Sequence, residues 1–522
     1  MVTKLSNVKN VWKTVIGLEI HAQMNTKTKL FSVAPNAFHK SPNSSVAYFD
    51  MATPGTLPII NSKCIELAIK AAIALKCDIN YSSEFDRKHY FYGDLPAGYQ
   101  ITQYRYPIAQ NGKLNYFWNS SANSESHSAI QKSEAKIIQI QIEQDSGKSL
   151  HDYDQNLSMI DLNRAGVGLL EVVTDCEFGS SAEAVGFVKE LKEVFYECGI
   201  CNGQMENGEL RVDVNISVRH ENSDILGERS EVKNINSLRG VSKAIDFESK
   251  RHILLLEAGL PVVNETRFYN PLTEATLSMR DKENIQDYRY FPEPNLPPLR
   301  LRKICECQSF HCDCRHICVP YIQNQMKNLE YPSEKRMMLI SKLNMTLSET
   351  NTVLSFPGLY EFVMSISKLM PISLNEEIRN KWIRNLSNYT LSTLLGELRQ
   401  RLLTFKSNPL NHQYFSELIT MSSISEINNI TASKVMSIML DHPNLTPRQI
   451  VNEHKLQQIS DPVIIENIIQ DFIKRNSKAL EDYKSGNKNV RKFFVKKIKA
   501  ENNNLINSRI LESIVDGILD KN

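Results

Sequence analysis

The chain has 522 residues, and its 61 lysines and arginines nearly balance its 59 aspartates and glutamates, leaving a formal net charge of +2. Hydrophobic residues make up 41% and charged residues 23%, which is typical of globular proteins and excludes a disordered chain or a collagen-like or coiled-coil rod. Because a domain averages about 150 residues, the length predicts two to four domains. The charge balance excludes a histone-like binder but allows a local basic patch.

No run of about 18 apolar residues occurs, so we expect no membrane span. The ten cysteines are too sparse for a disulfide scaffold, which favours a reducing compartment. The first 18 residues carry Lys4, Lys9 and Lys13 and no acidic residue. This segment is compatible both with an organellar leader and with a short basic tail.

The first 300 residues mix alternating strands with a few helices. One helix has clear signals at both ends, since a capping box begins at Ser180 and Gly199 acts as a stop. The predicted elements, in chain order, are a strand at 15–21, a helix at 64–77, a strand at 136–145, a helix near 181–198, a strand at 211–219, a strand around Glu231 and Lys233, and a helix from Ser237 to Gly259.

Each predicted strand alternates apolar and polar residues, so one face is apolar and the other polar. In the strand at 136–145, for example, Ile138, Ile140 and Ile142 are predicted to share the apolar face. This pattern is typical of an antiparallel sheet with one face on a core and one facing solvent or a ligand. The polar faces carry Glu19, His21, Gln141, Glu143, Asp145, Arg211, Asp213, Asn215, Arg219 and Glu231.

Several carboxylates on one concave face repel each other unless a cation lies among them. Carboxylates are the natural ligands of Mg²⁺, and arginine supplies the positive charge that binds phosphate. These residues therefore allow two interpretations, metal–phosphate chemistry or a solvated sheet surface. The chain has neither G-x-x-x-x-G-K-[ST] nor G-x-G-x-x-G, so a nucleotide would bind outside those two designs, and no G-x-S-x-G elbow supports a serine hydrolase.

The second part of the chain, from about residue 320, is predicted to be almost wholly helical. The proline-rich stretch 291–298 marks the join because it cannot continue a helix or a central strand. Five cysteines and two histidines between Cys305 and Cys318 either bind zinc or belong to an inserted segment with free thiols.

A basic segment lies near the C-terminus. Between Lys474 and Lys499, ten basic and two acidic residues leave a net charge of +8. This segment fits a nucleic-acid backbone as well as it fits a solvated helix face. The residues predicted to contact RNA are Lys478, Tyr483, Lys484, Lys488, Arg491 and Lys492.

Long ordered stretches of the chain resemble a known family, the B subunits of the glutamyl-tRNA(Gln)/aspartyl-tRNA(Asn) amidotransferases, and in particular its mitochondrial branch. The stretches are VIGLEIHAQMNTKTKLFS at 15–32, DRKHYFYGDLPAGYQITQ at 86–103, IEQDSGKSLHD at 142–152, DLNRAGVGLLEVVTD at 161–175, ENGELRVDVNISVR at 206–219, EVKNINSLRGVSKAIDFE at 231–248, MRDKENIQDYRYFPEPNLPPL at 279–299 and NSKALEDYKSGNKN at 476–489.

The resemblance implies an α+β fold. It implies a kinase-like cradle domain built on an antiparallel sheet, followed by an all-helical domain and a small helical tail domain. The expected parts are the catalytic cradle at 1–300, a cysteine-rich linker or insertion at 301–325, the helical domain at 326–440 and the tRNA-binding tail at 441–522.

The resemblance also implies a reaction. ATP would phosphorylate the γ-carboxylate of glutamate on Glu-tRNA(Gln), and ammonia would displace the phosphate to give Gln-tRNA(Gln). The ammonia would come from glutamine hydrolysed by a partner amidase, the A subunit, and a small C subunit would complete a heterotrimer in the mitochondrial matrix. Two alternatives stay open: a catalytically silent tRNA-binding scaffold of the same complex, and a zinc-dependent RNA-binding protein centred on the cysteine cluster.

By motif, the resemblance assigns catalysis to Glu19, His21, Glu143, Asp145 and Glu171. It makes Glu19, Glu143 and Glu171 the ligands of Mg²⁺, and it puts Lys88 and Asp213 at the mouth of an ammonia tunnel. Two positions depart from bacterial members, which have glutamate where this chain has Gln144 and lysine where it has Ala97.

Overall fold

The computed structural model describes residues 11–120, 129–152, 154–279, 288–303, 317–476 and 489–521. Within these ranges the strands are β1 Trp12–Gln23, β2 Asp78–Ile79, β3 Ser82–Ser83, β4 Asp86–His89, β5 Tyr99–Thr102, β6 Ala109–Asn119, β7 Ile130–Gln144, β8 Lys148–Asp152, β9 Leu157–Asp161, β10 Gly168–Thr174, β11 Leu210–His220, β12 Ser230–Ile235, β13 Glu265–Asn270, β14 Ala275–Ser278, β15 Phe291–Pro292 and β16 Leu299–Arg300.

Three helices precede the predominantly helical second part of the chain, and a π-helical segment, Tyr389–Leu394, joins two of the later ones. The helices are α1 Ser62–Ala74, α2 Ser181–Glu197, α3 Leu238–Glu257, α4 Val319–Met326, α5 Pro332–Leu343, α6 Leu347–Ser355, α7 Leu359–Ser367, α8 Glu376–Asn388, α9 Leu395–Gln400, α10 His412–Ser423, α11 Asn429–Asp441, α12 Pro447–Glu453, α13 Pro462–Arg475, α14 Asn489–Glu501 and α15 Ser508–Lys521.

One large sheet organises the first part of the protein. Its order is β14-β13-β12-β11-β1-β10-β7-β6-β2, and its neighbouring strands are antiparallel except for the parallel pair β12 and β13. With the helical region that follows, this sheet confirms the predicted α+β fold. In the described ranges, no helix is both long enough and apolar enough to cross a bilayer.

Helices α1, α2 and α3 cover one face of this sheet, and their apolar residues join those of the strands in one core. The alternation predicted for β1 and β11 is confirmed, because Ile16, Leu18 and Ile20 are buried, as is the whole valine and isoleucine face of β11. The predicted cap of α2 is also present, since the Ser180 side chain accepts a hydrogen bond from Glu183 N. The opposite sheet face is left polar.

The pattern predicted for β7 is wrong at Ile138. The strand has a bulge there, because the register with β10 shifts between Val173, opposite Gln139, and Thr174, opposite Ile137. An extra residue in one strand makes the side chains that precede it point to the opposite face of the sheet. Ile137 therefore joins the core, and Ile138, 48% exposed, leaves the face that it was predicted to share with Ile140.

A smaller sheet, β15-β4-β5, lies against the polar end of β7. Gln100 of β5 donates to the carbonyl oxygen of Gln144 at 2.7 Å, and Gln103 accepts from the backbone of Ile142 at 3.1 Å. The prolines around β15 suit its place at the sheet edge, as expected for the stretch 291–298. These bonds hold the β4–β5 hairpin beside the polar face.

The chain divides into two compact units, Met1–Lys335 and Arg336–Asn522. The core of the first extends through α4. The second contains two apolar cores, one around Trp382 and Phe415 between α5 and α12, and a small one around Phe472 in the last three helices. The boundaries expected at 300, 325 and 440 stay predictions.

Candidate functional site

The polar face of the large sheet gathers ionisable side chains from five neighbouring strands, β7, β10, β1, β11 and β12. Glu19 lies opposite Asp213, while His21 lies opposite Glu171 on one side and Arg211 on the other. Residues opposite each other in antiparallel strands have side chains about 5 Å apart on the same face. The register therefore makes neighbours of residues that are far apart in sequence.

His21, Glu143 and Glu171 form a first cluster, which we call the histidine group. One ligand atom of each lies within 4.8 Å of the others. His21 Nε2 is 3.3 Å from Glu143 Oε1 and 3.8 Å from Glu171 Oε2. Both carboxylates are buried. The group thus concentrates charge where water screens it poorly.

Neighbouring polar side chains orient the two carboxylates. The Thr102 hydroxyl donates to Glu143 Oε2 at 3.2 Å, and Gln141 Nε2 donates to Glu171. Lys88 carries its amine within electrostatic reach of both carboxylates. The carboxylates are therefore held in fixed positions rather than free to rotate.

Burial and neighbouring charges shift the pKa values of His21 and Glu143 in opposite directions. Burial acts to lower the pKa of His21, but the contact with Glu143 and the charge of Glu171 outweigh it and raise the pKa to about 9. Burial would raise the pKa of Glu143, yet the contact with His21 lowers it. Burial and the charge of Glu143 together raise the pKa of Glu171. The imidazolium thus supplies the positive charge between two carboxylates.

A second cluster, the carboxylate group, consists of Glu19, Asp213 and Glu231, again with one oxygen of each within 4.8 Å of the others. Asn215 Nδ2 donates to Glu19 Oε1 at 3.0 Å, and Lys233 Nζ lies 3.2 Å from Glu231 Oε1. Burial and the charges of Glu231 and Asp213 raise the pKa of Glu19. The three carboxylates of this group therefore carry more negative charge than the nearby Lys233 neutralises.

Both groups have the ligand chemistry of a divalent cation. The carboxylate group offers only oxygen, and Asn215 Oδ1 beside it is buried with no hydrogen-bond partner among the described residues. Such an all-oxygen set suits Mg²⁺. The histidine group adds an imidazole nitrogen to two carboxylates, a set more typical of transition metals. The predicted ligands Glu19, Glu143 and Glu171 are thus divided between two adjacent groups.

Asp145 is placed outside both groups. Its Oδ2 accepts from Arg211 Nη2 at 3.0 Å and lies 3.4 Å from Arg164 Nε. Arg211 lies opposite His21 in the sheet, and its own Nε has no partner among the described residues. Asp145 therefore holds an arginine beside the histidine group. Lys88 lies near the histidine group and Asp213 belongs to the carboxylate group, and their predicted tunnel role stays a prediction.

Gln144 and Ala97, where the resemblance implies a difference from bacterial members, line one cavity of about 320 Å³ together with Asp145, Tyr99 and Gly166. Gln144 follows Glu143 in β7, so their side chains point to opposite sides of the strand. Gln144 Oε1 is buried without a hydrogen-bond partner in the part of the chain described. Neither Gln144 nor Ala97 takes the place of a member of the two groups.

A second cavity, of about 440 Å³, opens beside Glu19. Its walls include Val15, Gly17 and Val173 of the sheet and Leu226 of the loop before β12. Ile138, turned outward by the bulge in β7, forms part of the wall. The lining thus combines apolar side chains with charged ones such as Glu19 and Arg229, which suits an organic ring carrying phosphates.

The predicted RNA-binding residues are only partly described. Arg491 of α14 forms an ion pair with Asp516, and Lys492 is exposed, whereas Phe494 is buried in the tail core. Lys478, Tyr483, Lys484 and Lys488 lie outside the described residues. So do the cysteines of the predicted zinc cluster other than Cys318, which is buried, and residues 1–10 of the predicted leader; Lys13 belongs to β1.

Gln100 and Thr102 support the site but were not among the residues selected from sequence, whereas Gln141 was already assigned to the predicted polar face. A signal for them exists, because Gln100 and Thr102 alternate with the buried Ile101 in β5. Four residues are too few for such a pattern to stand out.

Two family descriptions match the chain: the GatB/GatE catalytic domain at residues 14–305 and the GatB domain at residues 373–519. Over 506 residues the chain is 39% identical to the Danio rerio protein named as the mitochondrial B subunit of glutamyl-tRNA(Gln) amidotransferase, covering 97% of this chain and 89% of the relative. The Homo sapiens protein of that name is 41% identical over 476 residues, 91% of this chain and 83% of its own length.

A bacterial relative is similar over the same extent. The B subunit of the aspartyl/glutamyl-tRNA(Asn/Gln) amidotransferase of Rickettsia typhi is 38% identical over 512 residues, covering 97% of this chain and 98% of its own. The similarity therefore includes both the sheet that carries the two acidic groups and the helical region. The chain belongs to the B-subunit family of the tRNA amidotransferases, which are enzymes of the ligase type.

Proposed function

We propose that the protein is the ATP-dependent component that activates the glutamate of Glu-tRNA(Gln) for conversion to Gln-tRNA(Gln). The observation that carries this proposal is the meeting of Glu19, His21, Glu143 and Glu171 on one sheet face beside a cavity of about 440 Å³. A carboxylate is a poor electrophile, so the reaction needs an acyl phosphate. A site for that step must hold ATP and carboxylate together while neutralising phosphate charge.

In the proposed reaction, an oxygen of the glutamyl γ-carboxylate attacks the terminal phosphorus of ATP and ADP leaves. The nitrogen of ammonia then attacks the acyl carbon, phosphate leaves, and the excess proton passes to a base. Lys88 and Arg211 supply fixed positive charge near the transferred group, and Asp145 positions Arg211. The adenine of ATP would pack against the apolar side chains of the cavity, such as Val15 and Ile138.

The residues that would hold Mg²⁺ are the carboxylates of the two groups, with Glu19, Glu143 and Glu171 as the expected ligands. When bound, the ion neutralises charge on the phosphates of ATP. The all-oxygen chemistry of the carboxylate group supports Glu19 as a ligand, and Glu143 and Glu171 offer two more carboxylates in the adjacent histidine group.

The proposal includes partners and a location. Ammonia would come from glutamine hydrolysed by the amidase, the A subunit, and the small C subunit would complete the heterotrimer. The mitochondrial names of two relatives support a mitochondrial location, which we take to be the matrix. The basic helix α14 and the segment before it would contact the tRNA.

A catalytically silent scaffold is the alternative, and its support comes from Gln144 and Ala97. That support is weak, because strand alternation turns Gln144 away from the neighbouring Glu143 and both departures line a different cavity. An active site with both acidic groups intact is the simpler interpretation of the geometry.

The test is Glu171→Gln in the complex reconstituted with the amidase and the small third component. We expect ATP consumption that depends on Glu-tRNA(Gln) to fall at least about 100-fold, because the variant loses a carboxylate that the proposal assigns to the Mg²⁺ ion. Glutaminase activity of the complex should stay unchanged. Glu134→Gln, an exposed glutamate of the same sheet, is the matched control. Normal ATP consumption by Glu171→Gln would contradict the site, and no ATP consumption by the wild-type complex would favour the scaffold.

A further inference from the structure

An unusual number of aromatic side chains lies beside the histidine group. The segment 90–106 contains six tyrosines and phenylalanines in 17 residues, although aromatic residues make up only 8% of the chain. Three more lie in the four residues 288–291. Many of these rings are exposed, which is uncommon for large apolar groups that serve only a core.

Five tyrosines from these two segments form a continuous row, in the order Tyr92, Tyr90, Tyr288, Tyr290 and Tyr104. The centroids of neighbouring rings are 5.8, 6.0, 6.2 and 4.2 Å apart. Tyr104 and Tyr290 are stacked in parallel, with 11° between their planes. The two ends of the row face solvent, since Tyr92 is 56% and Tyr104 52% exposed.

The middle of the row adjoins the site. Lys88 Nζ lies 4.7 Å from the ring centroid of Tyr288, and the same amine interacts with Glu143 and Glu171. Tyr290 is also within electrostatic reach of Lys88 and Glu171. A ligand whose reacting end lies at the histidine group would therefore have its next few atoms over the tyrosine row.

We propose that the tyrosine row is the binding surface for the unpaired nucleotides at the 3′ end of the tRNA. In an aminoacyl-tRNA the amino acid is esterified to the terminal ribose of a single-stranded end. Delivering that amino acid to Glu143 and Glu171 brings the adjacent bases onto the row. Single-stranded nucleic acids are bound by such combinations of aromatic rings and basic groups, because every base has a face that can stack.

The chemistry of the surface favours nucleotides over a protein partner. The row consists of tyrosines rather than aliphatic residues, so each side chain offers a ring face for stacking and a hydroxyl for hydrogen bonds. Two exposed basic residues flank the row: Arg289 between Tyr288 and Tyr290, and Arg105 after Tyr104, whose guanidinium also pairs with Asp86. The inference rests on the proposed function, since it takes the histidine group as the place where the glutamyl group reacts.

The experiment compares two tRNAs and three variants in the reconstituted complex. Binding is measured by fluorescence anisotropy with intact tRNA(Gln) and with the same tRNA lacking its single-stranded 3′ end. We expect the double variant Tyr92→Ala and Tyr104→Ala to bind intact tRNA about tenfold more weakly than wild type. Both side chains are exposed, and thermal melting verifies the fold. The double variant with phenylalanine at both positions should bind normally, as should Tyr196→Ala, which removes an exposed tyrosine of α2.

The truncated tRNA makes the test specific. Removing the 3′ end should weaken tRNA binding to the wild-type complex but not to the alanine variant. The variant already lacks the ring surface that the 3′ end would contact. The inference would be overturned if the alanine variant bound the intact and the truncated tRNA more weakly than wild type by the same factor, or if it bound the intact tRNA as tightly as wild type does. Loss of complex assembly in the alanine variant would overturn it as well and point to a partner protein on this surface. The binding measurements do not depend on ATP consumption. They therefore test the tyrosine row separately from the proposed function, which is tested by ATP consumption.

Discussion

Replacing Glu19 by glutamine should stabilise the metal-free protein although it removes a residue of the site. Glu19 lies within 4.8 Å of the carboxylates of Asp213 and Glu231, and burial together with these two charges raises its pKa. Glutamine has the same shape and keeps the hydrogen bond that Glu19 Oε1 accepts from Asn215. The substitution therefore removes repulsion without opening a cavity.

Coulomb's law sets the size of the effect. Two unit charges at 4.8 Å repel by about 1 kcal/mol at the dielectric constant of water and by about 3 kcal/mol at an effective value near 20. Glu19 has two such neighbours, but the nearby charge of His21 offsets part of the repulsion. We therefore expect Glu19→Gln to raise the free energy of unfolding by about 2 kcal/mol at neutral pH in a metal chelator.

The gain should depend on pH in a defined direction. Because the pKa of Glu19 is raised above its ordinary value of 4.5, wild-type stability falls as the pH rises from 4.5 to the folded-state pKa. Glutamine does not titrate. The difference between variant and wild type should therefore be near zero at the acidic end of this window and complete above it.

The assay is urea unfolding at several pH values, with and without Mg²⁺. Trp12 and Trp118, both in the first compact unit, report the transition. Mg²⁺ should stabilise wild type more than the variant, because the variant has lost a ligand. Glu206→Gln, in an exposed turn, should behave as wild type. A destabilised variant in chelator, or a difference independent of pH, would refute the reasoning.

Two further predictions concern buried groups of the first unit, both measured by urea unfolding. Burial would raise the pKa of Glu248, but contacts with His252 and Arg251 lower it to about 2, so Glu248→Gln should cost about 3 kcal/mol at pH 7. This deficit should shrink as the pH falls from 4.5 towards 2, and a constant deficit would contradict the charge argument. Gly166 has φ +82°, and a Cβ there would lie 2.7 Å from Asp50 Oδ1. Gly208 also has a positive φ, but a Cβ there would have no atom within 4 Å. Gly166→Ala should therefore lower the free energy of unfolding by about 1–2 kcal/mol more than Gly208→Ala. Equal losses in the two variants would exclude a role for the clash with Asp50.

Local patterns were enough to predict four of the strands that carry the site, β1, β7, β11 and β12, but not β10, which carries Glu171. From Leu210 to Arg219 of β11 every second residue is a leucine, valine or isoleucine and the others are polar, and in β1 Ile16, Leu18 and Ile20 alternate with Gly17, Glu19 and His21. The two faces of both strands can therefore be assigned from sequence. The caps of α2 and α3 are equally local, since Ser180 and Ser237 each bond a backbone N–H three residues later.

The bulge in β7 could not be predicted in this way. Ile137 and Ile138 are both isoleucines, so the sequence does not tell which of them points into the core. The choice depends on the pairing of β7 with β10 and β6, which are non-local contacts. The bulge also shapes the candidate site, because the outward-facing Ile138 forms part of the wall of the cavity beside Glu19.

The division of the carboxylates into two groups depends on register as well. Strand alternation places Glu19 and Asp213 on polar faces, but only the pairing of β1 with β11 puts them opposite each other. A shift of one residue would place Val212 or Val214 opposite Glu19 and turn Asp213 into the core. That shift is prevented on the other face, where Val212 and Val214 are fully buried against the helices. The apolar packing of one face thus determines which carboxylates meet on the other, and hence where a cation can bind.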